Sequence, residues 1–412
     1  MDNVTHALAG MLLADATVEA LTPRGARPDP AFRSRARWTS AIANNLPDLD
    51  FLYRGITPGR VGYLVHHRGH THTFLVGMGM GLVGFSVLRR VWRARSLEAR
   101  ELRTLLVLSL AGPLVHMAMD FSNNYGVHPL WPLYGGWFYG DFIFIIEPLY
   151  FIATVPALAL ASQSRVGKLL LGGIVLIGIG LAWVTRFAGS GTASMLTVAA
   201  IAVAWLTYLL APRVRTWFAV ALSACVTLTF FGASRVARAR VVDAAAAAGK
   251  GEPVRVLDAS LTPAPSNPFC WSVMAAGLRG DRYELLVATV SVAPKLVPTE
   301  ECELEPTGHS LVLSLPSIEP STSVRWDGEW SRPVAGLREL WQSDCEARAF
   351  LRWARLPFWF REGGNGLFLG DLRYDRSPDL DFAELRGTIP PASCPRFVPP
   401  WIPPRHELLP EE

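Results

Sequence analysis

The stretch His66-His67-Arg68-Gly69-His70-Thr71-His72-Thr73, which runs straight into the apolar segment 74–92, decides how the chain is read. Four of the nine histidines fall within these few positions. Neutral imidazole is the commonest protein ligand for a transition metal, provided a second hydrogen bond fixes which ring nitrogen faces the ion. The cluster is therefore a metal-site candidate, set against the plainer alternative of an exposed histidine-rich loop. Gly69 suggests a turn. His67-Arg68-Gly69 reads as a loop and His72 as the first turn of the following helix, which would bring the two rings to one point; His66 and His70, four apart, would share a helix face.

Half of the 412 residues are hydrophobic and only 18% are charged, which excludes an ordinary soluble protein and points to a membrane class. Apolar runs at 74–92, 104–119, 142–161, 169–187, 193–211 and 217–231 predict six membrane spans. Residues 1–20 begin with Asp2 rather than a basic region and show no small-residue cleavage signal, so no removable signal peptide is read there. Segments 5–20 and 31–46 look like a helical hairpin, either crossing the bilayer or tucked into one leaflet. Lys and Arg are retained on the cytoplasmic side of short loops. Arg24, Arg27, Arg33, Arg35 and Arg37, assigned to the hairpin link, and Arg89, Arg90, Arg93, Arg95, Arg100 and Arg103 are placed in the cytoplasm, whereas the segment from Asp120 to Asp141 has no Lys or Arg and belongs outside. Arg165 with Lys168, and Arg213 with Arg215, agree with this alternation. Arg235, Arg238 and Arg240 disagree, but they precede a long domain, where the rule is weak.

Four constellations then fall on the outer side. Asp2 and His6 are four apart at the start of the first helix, where the alternative is a simple cap. Asn44-Asn45-Leu46-Pro47-Asp48-Leu49-Asp50 ends the second helix at Pro47 and offers two hard oxygen ligands at a spacing of two, although each residue also suits a turn. The histidine stretch is the third. His116 and Asp120 lie on one face at the end of the second span, where ionisable groups are costly and usually mark a functional cavity. The turn-rich, aromatic segment after Asp120 reads as an interfacial lid over it, and Glu147, placed just inside the third span, as a structural acid.

These motifs, in this order, resemble the membrane-bound metal-dependent hydrolase family, also described as LexA-binding, inner membrane-associated hydrolases. The resemblance covers Met1-Asp2 with Thr5-His6, Leu46-Pro47-Asp48-Leu49-Asp50, His67 through His72, His116 through Asp120, and Tyr125-Gly126. It extends to Leu351-Arg352-Trp353-Ala354-Arg355-Leu356-Pro357-Phe358 and Gly370-Asp371-Leu372-Arg373-Tyr374. It implies that His6, Asp48, Asp50, His67, His72, His116 and Asp120 bear on a metal, with Asp2 and Arg68 beside them. His66 and His70 sit where the family pattern is permissive, and Thr73 stands where the family usually has Ser.

Beyond residue 231 the character changes: an Ala-rich linker at 244–248 leads into a region with seven tryptophans and no further spanning run. Segments 283–292, 310–315 and 367–372 read as strands, and Gly363-Gly364-Asn365-Gly366 as a hairpin loop. Cys270, Cys302, Cys345 and Cys394, with no C-x-x-C spacing, suggest two disulfides in one of three connectivities if the region lies outside the cytoplasm. The fold expected is mainly α: a metal-site helical membrane domain (1–150) with the N-terminal hairpin, additional transmembrane helices (151–235), and a small α+β or mostly β extracytoplasmic domain (240–412). The function expected is an inner-membrane, zinc- or other divalent-metal-dependent hydrolase. Asp48 or Asp50 would act as general base, and Arg68 would bind an anionic, lipid-linked or phosphoester substrate. The alternatives are a metal-binding or metal-transport protein and a structural envelope protein. The bilayer is the expected partner; nucleic acid is not, because the basic residues are spent beside the spans, and oligomeric state is left open.

Overall fold

The computed structural model describes residues 1–92, 97–185, 189–247, 253–302, 313–314, 320–375, 382–389, 391 and 393–410. Helices α1 (Asn3–Leu21) and α2 (Pro30–Ala43) form an antiparallel hairpin, each started by an aspartate that accepts backbone amide hydrogens: Asp2 from Val4 and Thr5, Asp29 from Ala31 and Phe32. The helices cross closely at Gly10, where a Cβ would lie 2.7 Å from the Ser40 carbonyl oxygen. Lower down, Arg37 forks onto Asp15 and Arg33 pairs with Glu19. Arg33, Arg35 and Arg37 are thus residues of α2 rather than of the link, which keeps only Arg24 and Arg27. The second helix also ends earlier than Pro47, at Ala43, and Pro47 opens a separate 3-10 turn over Pro47–Leu52.

The helical part continues with α3 (Arg60–His66), α4 (Phe74–Val91), α5 (Ala99–Phe121), α6 (Pro148–Ala161), α7 (Arg165–Val184), α8 (Ser190–Leu209) and α9 (Pro212–Ala246). Among the described residues six helices, α1, α4, α5, α7, α8 and α9, are long and apolar enough to cross a membrane. The membership differs from the sequence reading. α1 joins, and the run 142–161 shrinks to the 14-residue α6, because the chain stays irregular up to Glu147 and Pro148 sets the helix start. Glu147 is consequently the N-cap of α6, not a residue inside a span, and accepts a hydrogen bond from the Leu149 amide.

Helix α9 carries the chain from the helical part into the C-terminal part without a break; the expected linker is helical to Ala246, with Ala248 outside the described residues. The strands β1 (Arg255–Ala264), β2 (Asn267–Arg279), β3 (Arg282–Ser291) and β4 (Val324–Pro333) pair antiparallel in that order. Trp271, Val273 and Ala275 of β2 face α9, whose Phe230, Ala237, Val241 and Ala245 meet them, while Met274 and Ala276 face the opposite way. Burial on both faces explains why 283–292 reads as a near-continuous apolar run instead of an alternating one. Helices α10 (Val334–Ser343) and α11 (Cys345–Leu351) precede a second sheet of β5 (Pro357–Glu362), β6 (Gly366–Asp371) and β7 (Glu384–Thr388). The β5–β6 loop contains Gly364 at a φ of +73°, a conformation that favours glycine. Of the strand expected at 310–315, only Leu313 and Ser314 are described, and Ser314 bridges Glu329. Disulfides join Cys270 to Cys302 and Cys345 to Cys394, and Cys225 is free.

The C-terminal part sits on the helices through buried charge. Arg355 forks onto Asp141 at 2.7 and 2.8 Å and onto Asp258 at 2.7 and 2.9 Å; Arg238 reaches Asp141 at 2.9 Å and Arg405 reaches Asp258 at 3.2 Å. Arg238 and Arg240, which disagreed with the charge-sidedness rule, are spent in this junction: Arg240 donates to the Ser291 carbonyl. A second tie is Glu147, which accepts from the amide and hydroxyl of Ser266 in the β1–β2 turn. Burial pushes its carboxyl up to about 7 from an ordinary 4.5, against three hydrogen bonds that favour the charged form. Folding thus favours the protonated acid. The stability it contributes is complete below pH 4.5 and is lost as the pH rises through 7. The melting temperature should accordingly fall between pH 5 and pH 8, and Glu147→Gln should flatten that slope; parallel slopes for the two proteins would contradict the assignment.

Candidate metal centre

Four elements meet under the C-terminal part. Helix α5 presents His116 and Asp120 on one face, as their spacing requires. The chain leaves α3 at His66, turns at Arg68 (φ 56°) and makes a 3-10 turn over His70–His72; Thr73 then caps α4 by accepting from the Val76 amide. His72 therefore stands just ahead of the helix rather than in its first turn, and His66 and His70 do not share a helix. The 3-10 turn after α2 supplies Asp48 and Asp50, and α1 supplies His6.

Asp48, His72, His116 and Asp120 each offer a ligand atom, and these atoms all lie within 4.8 Å of one another. The two imidazole Nε2 atoms are 3.0 Å apart. Asp120 Oδ2 lies 3.2 Å from His72 Nε2 and 3.3 Å from His116 Nε2, and Asp48 Oδ1 3.7 and 3.5 Å from the same atoms. The second nitrogen of His116, Nδ1, donates to the Asn44 carbonyl at 2.6 Å, which leaves the Nε2 lone pair aimed into the group. Asp120 Oδ2 is fully buried and makes no well-directed hydrogen bond. An anionic oxygen in that condition is costly unless a cation faces it. This buried Asp/His group has the donor chemistry to hold a divalent metal ion.

The other expected residues surround the four. His6 stacks on His116 with ring centroids 3.8 Å apart, and its Nε2 lies 3.2 Å from Asp120 Oδ1, where the amino group of Met1 also makes contact. Asp50 and His67 do not reach the four-atom group. They pair with each other at 3.0 Å, and Asp50 also accepts from the Arg68 amide at 2.8 Å. Arg68 places Nε 2.9 Å from Asp120 Oδ2 and donates from Nη1 to Asn123 at 2.7 Å, so its charge faces the carboxylate. His66 meets the Thr57 hydroxyl, which donates to the Arg396 and Phe397 carbonyls; His70 packs edge-on against Trp131 and beside Trp401. These two histidines serve the roof. Trp401 completes it by donating to the Val65 carbonyl at 2.7 Å.

Burial works against charge on Asp48, yet the His116 and His72 rings beside it outweigh burial and hold the carboxyl well below its ordinary range. His67 is pushed below its ordinary value by burial, with Asp50 opposing, so it is a neutral base at pH 7.

Two further residues shape the site: Asn44, read from sequence only as suiting a turn, and Asn3, which no sequence signal singled out. Asn44 donates to the His6 carbonyl at 2.5 Å while its own carbonyl orients His116, tying α1, α2 and α5 together. Asn3 donates to Asp48 at 2.6 Å and to Asn45 at 3.1 Å. Of the four donors only Asp48 reaches the surface, its side chain 20% exposed, beside the exposed Leu49, Phe51 and Leu52.

Residues 1–189 match the family model described as YdjM inner membrane protein. The match takes in all four candidate donors and ends before α8, so Trp401, Leu351 through Phe358 and the C-terminal sheets lie outside it. It supports a membrane-associated chain. Neither a curated protein nor a solved structure shows significant similarity to the chain.

The position of Asn44 depends on Gly112, where a Cβ would fall 2.6 Å from Ala43 Cβ and 2.8 Å from the Asn44 nitrogen. Backbone cannot yield there cheaply. Gly112→Ala is expected to cost about 1–3 kcal/mol of stability and to lower metal retention in the folded protein, as measured by thermal unfolding and elemental analysis; wild-type values for both would show that Asn44 does not govern His116.

Proposed function

We propose that the protein is an integral membrane metal-dependent hydrolase whose divalent ion, zinc being the first expectation, is held by Asp48, His72, His116 and Asp120. The observation that carries this reading is the convergence of one ligand atom from each of Asp48, His72, His116 and Asp120 to within 4.8 Å, with the second nitrogen of His116 spent on the Asn44 carbonyl. When bound, such an ion supplies Lewis acidity and a water acidified to near neutrality. The protein's own residues do the rest. Arg68 and His6 fix Asp120, Asn44 fixes His116, and Asn3 fixes Asp48. The Asp50–His67 pair is the proton acceptor, a neutral imidazole oriented by a carboxylate. Arg68, expected to bind an anionic headgroup, is engaged by Asp120 and Asn123. A lipid-linked substrate is supported instead by the exposed Leu49, Phe51 and Leu52, next to Asp48 along the chain.

Purified protein should carry near-stoichiometric divalent metal. His116→Ala or Asp120→Ala should lose most of it, while His406→Ala, at an exposed histidine of the C-terminal part, should not. Equal retention in all three would remove the metal centre.

In this reading the centre and residues 240–412 face out of the cytoplasm, and the two disulfides are the independent support. Maleimide added to denatured, unreduced protein should label Cys225 alone, and a periplasm-active reporter fused after Glu412 should be active. Labelling at all five cysteines with a silent reporter would put the domain in the cytoplasm.

A further inference from the structure

A groove of about 740 Å³ lies between the α1–α2 hairpin and α7, lined by Asn3, Ala7, Met11, Trp38, Leu170 and Ile174 among others. One end is set by Asn3, whose amide holds Asp48. The other end reaches Arg33 and Arg37, whose charges are taken up by Glu19 and Asp15. Along α1 the lining runs from Asn3 to Met11, a rise of ~12 Å at 1.5 Å per residue. That is within the ~15 Å depth of one leaflet, half of a ~30 Å hydrocarbon core. All three walls are helices that carry apolar residues, and α1 and α7 are long and apolar enough to cross a membrane.

The lining chooses the occupant. Ala7, Leu8, Met11, Trp38, Leu170 and Ile174 present apolar side chains to it, and a flexible hydrocarbon chain is the partner that such a wall between membrane-length helices takes up. We infer that this groove holds the hydrocarbon tail of a single membrane amphiphile whose polar head lies at Asn3 and Asp48, so that substrate enters the centre sideways from the bilayer. The inference rests on the hydrolase reading for what happens to the head, but the tail site stands on the groove itself. Continuity decides the polarity: the donor group opens to the surface only at Asp48, and the groove begins at the residue bonded to Asp48. The C-terminal part closes the opposite approach with Trp401 and the His70–Trp131 contact.

The test is photolabelling of the full chain, reconstituted in phosphatidylethanolamine–phosphatidylglycerol vesicles containing a trace of phosphatidic acid with a diazirine on one acyl chain. A diazirine near the carbonyl should label Asn3, Val4 and Ala7, and one near the methyl end should label Met11 and Trp38. Each should give at least fivefold more adduct per residue than the exposed α8 positions Val198, Ile201 and Trp205, which sample ordinary bilayer lipid. Leu170→Trp, at a groove residue two-thirds exposed and outside the donor group, should cut groove adducts at least fivefold and leave α8 adducts and metal content unchanged. Should that variant misfold, Ala7→Trp fills the same groove from the other wall. Equal labelling of groove and α8, a reversed order of the two probes, or adducts indifferent to the filling substitutions would overturn the tail site. Groove labelling that persists in metal-free Asp48→Asn protein would uphold the tail site even if the metal reading failed. Metal retained without groove enrichment would sink the tail site alone.

Discussion

A carboxylate buried in a helical bundle is among the most expensive groups a fold can carry unless cations and donors meet it, and Asp120 is met from every side. Arg68, His72 and His116 converge on its Oδ2, and His6 and the Met1 amino group meet its Oδ1. Removing one partner of a buried pair of this kind typically costs ~3–5 kcal/mol, because the other charge is left uncompensated. The surrounding design serves this point. Gly10 lets α1 approach α2, Gly112 lets α2 approach α5, and the turn at Arg68 bends the histidine stretch back over the end of α5.

The C-terminal part is best understood as the roof of that arrangement. Its own hydrophobic core includes Val61, Leu64 and Val65 from α3, the helix that delivers the histidine stretch. The junction is sealed by Arg355, which bridges Asp141 of the helical part and Asp258 of β1 while stacking over Tyr139 at 3.9 Å. A roof so tied leaves the side at Asp48 as the open one. That geometry unites an otherwise odd pair of features: a polar donor group, and apolar residues exposed beside its one accessible member.

Much of this was legible in the residues alone, and the failures have physical causes. The four-residue spacing of His116 and Asp120, the pair Asp48 and Asp50, and the dense histidines pointed to one place because ionisable groups near membrane helices are few and costly. Spacing could not say that Asp50 and His67 would pair with each other, since that depends on how the turn at Arg68 aims the rings. It also could not find Asn44 or Asn3, whose roles run through one backbone carbonyl and one side-chain amide. Hydropathy extended the run 142–161 across Glu147, because a window average does not register the break that Pro148 imposes. Charge counting assigned Arg33, Arg35 and Arg37 to a link and found Arg238 and Arg240 on the wrong side; ion pairs with Asp15, Glu19 and Asp141 and a bond to the Ser291 carbonyl hold four of these five. A sidedness rule counts free charges, and these are not free. The β5–β6 hairpin was the easiest element to see, since glycine-rich turn chemistry is local.

The most direct measurement is X-ray absorption at the metal edge of detergent-purified protein. The account predicts a first shell of nitrogen and oxygen at about 2.0–2.1 Å, with the outer-shell scattering of two imidazole rings from His72 and His116. A spectrum with oxygen scattering only, or no metal edge above background, would contradict it.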